Sequence, residues 1–463
     1  MTVRRILITG GVIVSPSGAA IGDVVIEGEK LVAVGGIADR REGDSVIDAA
    51  GMLVLPGVID AHTHIQLDTG IHKTPDNWTT GTQAAAAGGV TTVIDFATQF
   101  PGQSFREAVA ARRAEAEGAI MDYALHCMVT DLPRGEEGRL VELIEMGVPS
   151  FKVYTTYRPN YYMDDAALLR VLAGAREVGG LVMVHAEDDA IVTQATAALV
   201  AEGKTDWRYH GQARPALAEQ EAARRVLRLA GRAGAPVFIV HCSTGKTVGL
   251  VREAAARGQA AWCETCPQYL LLNESAYEGP HPERYILQPP LRAPENNGIL
   301  WGHVGEGAVS LISTDSCDYT LAQKQARRDF TKTPGGLPGI ETLLPLMYTY
   351  GVAEGHIAIE ALVRLLCENP ARIYGLYPQK GTLTPGQDAD VVIYDPRPAG
   401  VIRAENLHGL AGYTPYEGMA VQGRVHLTLS RGEVVYDRGD VLGAAGRGRF
   451  VPGKRFDPAQ ALA

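Results

Sequence analysis

The sequence predicts an α/β protein in which a (β/α)8 barrel is joined to a small β-domain assembled from both ends of the chain. Three observations predict it. Between residues 53 and 374, eight short apolar runs alternate with stretches of helical period. Residues 1–52 and 375–463 carry only short β-type runs punctuated by Gly, Pro and Asp. The strands at either end are too few to be stable alone, so the two ends are expected to pair into one domain.

Taken in order, the first 52 residues hold β-type runs at 6–14, 23–27, 30–34 and 45–48. Barrel strands are expected at 53–59, 90–96, 123–129, 150–154, 181–185, 236–241, 260–264 and 309–314. The intervening segments 105–117, 165–178, 216–233 and 246–257 are rich in Ala and Arg and read as amphipathic helices. The β texture returns at 390–395, 425–429 and 433–436. A doubly wound sheet is the alternative, but no Gly-x-Gly-x-x-Gly follows the first strand. In a barrel, chemistry belongs at the C-terminal ends of the strands.

Composition removes several classes of function. The chain has 463 residues, and 43 Lys plus Arg against 53 Asp plus Glu leave a net charge of −10, which argues against nucleic acid as a partner. At 46% hydrophobic and 21% charged residues it has material for a packed core and is not a disordered chain. The 53 glycines and 26 prolines are scattered, as many tight turns require. Six cysteines without a framework of spacings fit free thiols in a cytoplasmic protein. No run approaches the roughly 20 apolar residues of a membrane span, so no membrane association is expected. The start of the chain, a basic end followed by an apolar run, imitates a secretory signal. Gly10 and Gly11 interrupt that run and the β pattern continues beyond it, which favours a hairpin.

The strand ends carry a constellation. The first barrel run leads into Asp60-Ala-His62-Thr-His64, and in an extended segment side chains at i and i+2 point the same way, so both His can reach one ion. Such a pair is weak evidence alone; its placement strengthens it. The fourth run ends at Lys152-Val-Tyr154, the fifth at His185-Ala-Glu187, the sixth at His241-Cys-Ser243 and the eighth at Thr314-Asp315. Nitrogen-rich sites with one carboxylate suit zinc or a similar divalent ion. Lys152 differs, because an ammonium has no lone pair to give a metal. Either it is a buried ion-pair lysine, or its amine has reacted with CO2 to give a carbamate whose two oxygens bridge two ions.

With these residues in view, the chain resembles the cyclic amidohydrolases, and within them the dihydropyrimidinase and hydantoinase branch. The resemblance runs over nearly the whole chain. Gly57-Val-Ile-Asp-Ala-His-Thr-His64 is similar to the family's first metal motif, and Ser150-Phe-Lys-Val-Tyr-Thr-Thr-Tyr157 to the segment holding its carboxylated lysine and its substrate tyrosine. His185, His241 and Asp315 follow in the family's order. Glu264-Thr-Cys-Pro-Gln-Tyr-Leu270, Pro289-Pro-Leu-Arg292 and Asn369-Pro-Ala-Arg-Ile-Tyr-Gly375 extend the likeness.

The resemblance implies a (β/α)8 barrel with a β-sandwich from both termini, two divalent ions with zinc as the expected metal, and hydrolytic ring opening of a cyclic amide or imide, a dihydropyrimidine or hydantoin. His62, His64 and Asp315 would hold the more buried ion, His185 and His241 the more exposed one, and Lys152, carboxylated by CO2, would bridge them. Two cations facing one water supply hydroxide near neutrality. Asp315 would accept its proton and pass it to the departing nitrogen, and Tyr157 would donate to the oxyanion. A homotetramer is implied, with a dimer next. Two rivals remain: another ring-opening enzyme such as an allantoinase, and a non-catalytic assembly scaffold on the same fold. The second is disfavoured because all six ligand positions are filled.

Departures from the family bear on substrate. Gln288 stands where relatives have Ser, and Gly335 where they have Asn; relatives grip the ring amide with backbone groups at these two places, so both are expected to bind substrate while the pocket's shape changes. No Arg stands two residues after the His pair, where Gln66 is found, which weakens a dihydroorotase reading. Gln66, Asp68, Thr155, Thr156 and Arg158 predict a polar substrate gate and a small or polar exocyclic group. Cys263-Glu-Thr-Cys266 has the spacing of a redox or zinc pair but stands alone and is read as structural. His126, His210 and the six remaining histidines outside the ligand set are left unassigned.

Overall fold

The computed structural model describes residues 4–461; Met1–Val3 and Leu462–Ala463, at the extremes of the two terminal segments, lie outside the described residues. Eight parallel strands, Val58–Thr63, Val90–Thr98, Asp122–Met128, Ser150–Tyr154, Leu181–His185, Val237–Ile239, Ala261–Thr265 and Leu311–Ile312, neighbour one another in chain order. Helices cross between them, and their ends are written in sequence. Asp164 caps Asp165–Val178 by accepting from the Ala167 N–H at 2.8 Å, and Gly179 ends the helix in the left-handed conformation.

The first and last strands close the barrel at one rim. Thr63 bridges Ser316, and the Asp60 carboxylate accepts from the Thr314 N–H at 3.0 Å and its hydroxyl at 2.6 Å. Alternate residues fill the interior, among them Ile59, Leu181, Met183, Phe238 and Val240. His126 belongs to this interior: its Nδ1 lies 2.6 Å from the Ser150 hydroxyl and its Nε2 2.9 Å from the Ala61 carbonyl, so it is a satisfied core histidine.

The terminal strands form a second sheet of nine strands, in which Arg5–Ser15 pairs antiparallel with Gly18–Glu27, the expected hairpin. Its apolar core includes Ile6, Ile8, Val24, Ile26, Val391, Ile393 and Leu429. Two features depart from the expected division into 1–52 plus 375–463 and 53–374. The single apolar run 53–59 serves two sheets: Leu53–Pro56 pairs with Arg5–Ser15 and Val391–Val401, and the barrel strand begins only at Val58. Gly57 makes the crossing, where a Cβ would lie 2.0 Å from the Thr91 hydroxyl. At the other end, Val451 and Phe456 leave the β-domain and pack into the barrel floor beside Tyr374.

A buried ion cluster ties sheet to barrel. The Lys380 ammonium lies 2.7 Å from Asp122 on a barrel strand, 2.7 Å from Asp390 and 3.0 Å from Asp388, and Arg431 reaches Asp122 at 3.0 Å. Removing one partner of such a set leaves buried charge uncompensated. Lys380→Met is therefore expected to destabilise the protein by about 3–5 kcal/mol, read as an earlier transition in guanidinium; an unchanged midpoint would show that the cluster does not hold the two units together.

Candidate metal centre

At the C-terminal rim of the barrel lies a cavity of about 640 Å³ whose walls include His62, His64, Lys152, Tyr157, His185, His241, Gln288, Asp315 and Gly335. Every site residue expected from the sequence lines this one space. The tightest group is His62, His64 and Asp315, whose ligand atoms all fall within 4.8 Å of one another. Asp315 Oδ1 is 3.2 Å from Nε2 of each histidine. Lys152 Nζ stands 3.3 Å from His62 Nε2. The His185 and His241 rings are 4.5 Å apart, and His241 is 5.5 Å from His62.

Each of the four histidines has a carboxylate behind it or behind its backbone. Glu264 lies 2.5 Å from His62 Nδ1 and accepts from the His241 backbone N–H at 3.1 Å and from the Ser313 hydroxyl at 2.8 Å. Glu187 lies 2.7 Å from His185 Nε2 and is itself held by Arg214. Asp95 accepts from the Thr63 hydroxyl at 3.0 Å and the Ile65 N–H at 2.7 Å, with Arg112 at 2.6 Å behind it, and so fixes the chain on both sides of His64. Sequence reading quoted Glu264 and Glu187 but gave them no task. The strand-end rule that picked out His185 and His241 also marks Glu264, which lies one residue from the end of Ala261–Thr265.

The backbone is strained at this rim. Tyr157, His241 and Asp315 have φ of 73°, 37° and 51°, left-handed conformations that cost a non-glycine residue on the order of 1–3 kcal/mol. Such strain is expected where side-chain direction matters more than local stability.

The electrostatics fit a cation. Burial, aided by the nearby Lys152 charge, lowers the His62 pKa well below the ordinary value; burial, then His185 and Lys152, does the same for His241. Both rings are neutral at pH 7 and offer lone pairs. In the tautomer whose Nδ1–H points to Glu264, His62 would turn an unprotonated Nε2 toward the Asp315 carboxylate oxygen 3.2 Å away, two electron-pair donors that a cation between them would satisfy. Burial disfavours the Asp315 carboxylate, but the His64 hydrogen bond and the nearby Lys152 charge keep its pKa below the ordinary carboxylate value. His241 Nδ1 is buried without a hydrogen-bond partner. Lys152 is 1% exposed, and burial brings its pKa down to about 8, with Asp315 and Glu264 opposing the fall. Among the described residues no carboxylate lies within 4.0 Å of its ammonium, so Lys152 makes no close ion pair.

The polar gate expected from sequence is not formed as such. Thr155 and Thr156 turn inward, Thr155 donating to the Glu187 carbonyl at 2.8 Å and Thr156 to Asp189 at 3.4 Å. Gln66 accepts from the Trp78 N–H at 3.2 Å, and Asp68 faces a neighbouring cavity. Of the five gate residues only Arg158 reaches the candidate site, whose rim is instead lined by Leu67, Ile71, Tyr161 and Leu337 with Thr69, Asn160 and Thr331. Short hydroxyls beside backbone carbonyls satisfy those carbonyls first. Cys263 and Cys266, like the other four cysteines, are buried and unpaired.

The role of Glu264 can be measured directly. If His62 binds a metal ion, Glu264→Ala is expected to weaken the binding of added divalent metal by about 10–100-fold, the loss typical when the group orienting a ligand imidazole is removed. Chelator competition reads the affinity, and an unchanged value would show that His62 needs no such support.

The comparisons agree with this geometry. Residues 53–435 match the amidohydrolase family. A D-phenylhydantoinase of Escherichia coli O81 (strain ED1a) is 40% identical over 459 residues, covering 98% of this chain and 99% of its own. The crystal structure of dihydropyrimidinase from Brevibacillus agri NCHU1002 superposes with a TM-score of 0.96 at 38% identity, over 98% of this chain and 99% of that one. L-Hydantoinase (dihydropyrimidinase) from Arthrobacter aurescens gives 0.89 at 30% identity, over 96% and 99%. The chain thus belongs to the amidohydrolase family, in its dihydropyrimidinase and hydantoinase branch, and is an enzyme of the cyclic-amidohydrolase kind.

Proposed function

We propose that this enzyme opens the ring of a dihydropyrimidine or hydantoin by hydrolysis at a centre of two divalent ions. The observation that carries the reading is the meeting of His62, His64, Asp315 and an ammonium-bearing Lys152 without a carboxylate partner, in one cavity with His185, His241 and Tyr157. His62, His64 and Asp315 would hold one ion and His185 and His241 the other. Lys152, as a carbamate, would bring two anionic oxygens to the place where its ammonium lacks an anion. When bound, two such ions supply Lewis acidity, lowering the pKa of a water and polarising the scissile carbonyl.

The chain's own groups then do the rest. Asp315, kept ionised, accepts a proton from the attacking water as its oxygen bonds to the carbonyl carbon. As the ring C–N bond breaks, the same carboxyl returns that proton to the departing nitrogen, leaving a ring-opened carboxylic acid. Tyr157 stands against His185 with ring centroids 5.1 Å apart, under the Arg214 guanidinium at 5.1 Å. Burial raises its pKa, so the phenol stays protonated and can donate to the oxyanion.

The test is a metal analysis coupled to a substrate panel of dihydrouracil, hydantoin, 5-substituted hydantoins and allantoin. The expected outcome is two ions per chain and ring opening of dihydrouracil or hydantoin. Turnover of allantoin alone would move the enzyme to the allantoinases, and inactivity of the reconstituted protein on every member would overturn the reading. Lys152→Ala should lose metal and activity, with partial rescue by short carboxylic acids; unchanged stoichiometry and rate would refute the carbamate. Asp315→Asn should lower kcat by about 10²–10⁴-fold, the usual weight of a positioned acid–base group.

A further inference from the structure

Tyr157 and His185 reach the site from different strand ends, Tyr157 three residues beyond Ser150–Tyr154 and His185 at the close of Leu181–His185. Arg214 meets both from a third place in the chain, between the short helix His210–Ala213 and the long helix Ala216–Ala233. The mechanism above gives it no task. Its guanidinium does two things at once. Nε donates to the Glu187 carboxylate at 3.1 and 3.2 Å, and Nη2 donates to the same group. Its central carbon lies over the Tyr157 ring, 5.1 Å from the centroid.

Glu187 carries this hold to His185. Its carboxylate is fully buried, with Oε2 2.7 Å from His185 Nε2. In the tautomer whose Nε2–H points to Glu187, His185 keeps Nδ1 free for an ion, and the direction of that lone pair follows the carboxylate. The Glu187 backbone is tied down as well: its carbonyl accepts from the Thr155 hydroxyl at 2.8 Å, and its N–H donates to that hydroxyl at 3.1 Å. Tyr157 is placed by ring contacts, 5.1 Å from His185 and 5.7 Å from Tyr154, and by Arg214.

Arg214 is itself anchored. Its carbonyl accepts from Arg292 Nη1 at 2.6 Å, and Arg292 Nε donates to the Ser243 hydroxyl at 2.8 Å. The Asp188 N–H donates to the Ala218 carbonyl at 2.9 Å, which joins the segment bearing Glu187 to the helix that follows Arg214. A planar guanidinium can grip a carboxylate with its edge while its plane rests on a ring; an ammonium, a point charge, cannot do both.

We propose that Arg214 is the positioning residue that ties the oxyanion donor Tyr157 to the ion ligand His185: one guanidinium fixes Glu187, and through it the His185 imidazole, while lying over the Tyr157 ring. The inference rests on the cyclic-amide, two-ion reading above and adds that the more exposed ion and the oxyanion donor are set by the same group. Arg214 does not line the cavity and acts only through these side chains.

Two readouts test it. Titration of the metal-free protein with zinc needs no substrate. Arg214→Met is expected to weaken binding of the second ion by about 10-fold, as loss of support behind a ligand imidazole warrants, and to leave the ion at His62, His64 and Asp315 unchanged. The kinetic readout uses the zinc-loaded protein and whichever ring the wild type opens. Arg214→Lys keeps a cation opposite Glu187 but loses the plane over Tyr157, so it should bind the second ion nearly as the wild type does while kcat falls about 10-fold, with KM little changed. In a Tyr157→Phe background Arg214→Lys should lower kcat no further, a non-additivity that marks one shared path. Wild-type second-ion affinity in Arg214→Met would overturn the proposal, as would full additivity of Arg214→Lys with Tyr157→Phe. If Arg214→Met does not fold, Arg214→Lys and the double variant decide alone. A purely structural arginine would lower the melting temperature of both variants and leave kcat and second-ion affinity of the folded protein unchanged. A wild type that binds one ion and opens no cyclic amide would overturn the underlying reading and this inference together; a competent wild type with unaltered variants would overturn this inference alone.

Discussion

The junction between the first and last barrel strands is the constraint on which the site depends. Asp60 receives two hydrogen bonds from Thr314, and the His64 N–H donates to the Ser316 carbonyl at 2.8 Å. Between those two ties sits Asp315, which is how a residue some 250 positions away in sequence comes to lie 3.2 Å from both His62 and His64. A slip of one residue at this junction would turn Asp315 to the opposite face and separate the carboxylate from the imidazoles. The left-handed backbone of Asp315 is held in place by the same ties on either side of it.

Around that junction the protein has placed groups that are costly to bury unless something satisfies them. Neutral imidazoles, an ionised carboxylate and a lysine amine share one cavity, and most of the charges behind them are paired: Glu187 with Arg214, Asp95 with Arg112. Lys152 is the exception, with no carboxylate in ion-pairing distance among the described residues. A site whose supporting groups are satisfied and whose facing groups are not is one made to receive charged ligands.

The architecture was legible because strand and helix periods are local. The runs 150–154 and 181–185 and the helices 165–178 and 216–233 stand in the structure with the bounds read from sequence. The run 53–59 was misread because an apolar stretch records burial but not which sheet buries it. Likewise, nothing local tells that Val451 and Phe456 leave the β-domain for the barrel floor. The residues that line the candidate site were legible because alternation and strand ends dictate where they point. Thr155 and Thr156 were misplaced since their direction depends on the Glu187 carbonyl and Asp189, partners brought near only by the fold. Glu264 could have been found by position alone. The contact of the Gln288 carboxamide with Gly335, where a Cβ would lie 1.8 Å from its Oε1, could not, because it exists only when two distant segments lie side by side.

The most direct test of the two-ion account is anomalous diffraction from crystals grown with zinc and bicarbonate. The account predicts two peaks about 3.5–4 Å apart, one among His62, His64 and Asp315 and one beside His185 and His241, with carbamate density on Lys152 reaching both. A single peak, or two ions flanking an unmodified Lys152 amine, would contradict it.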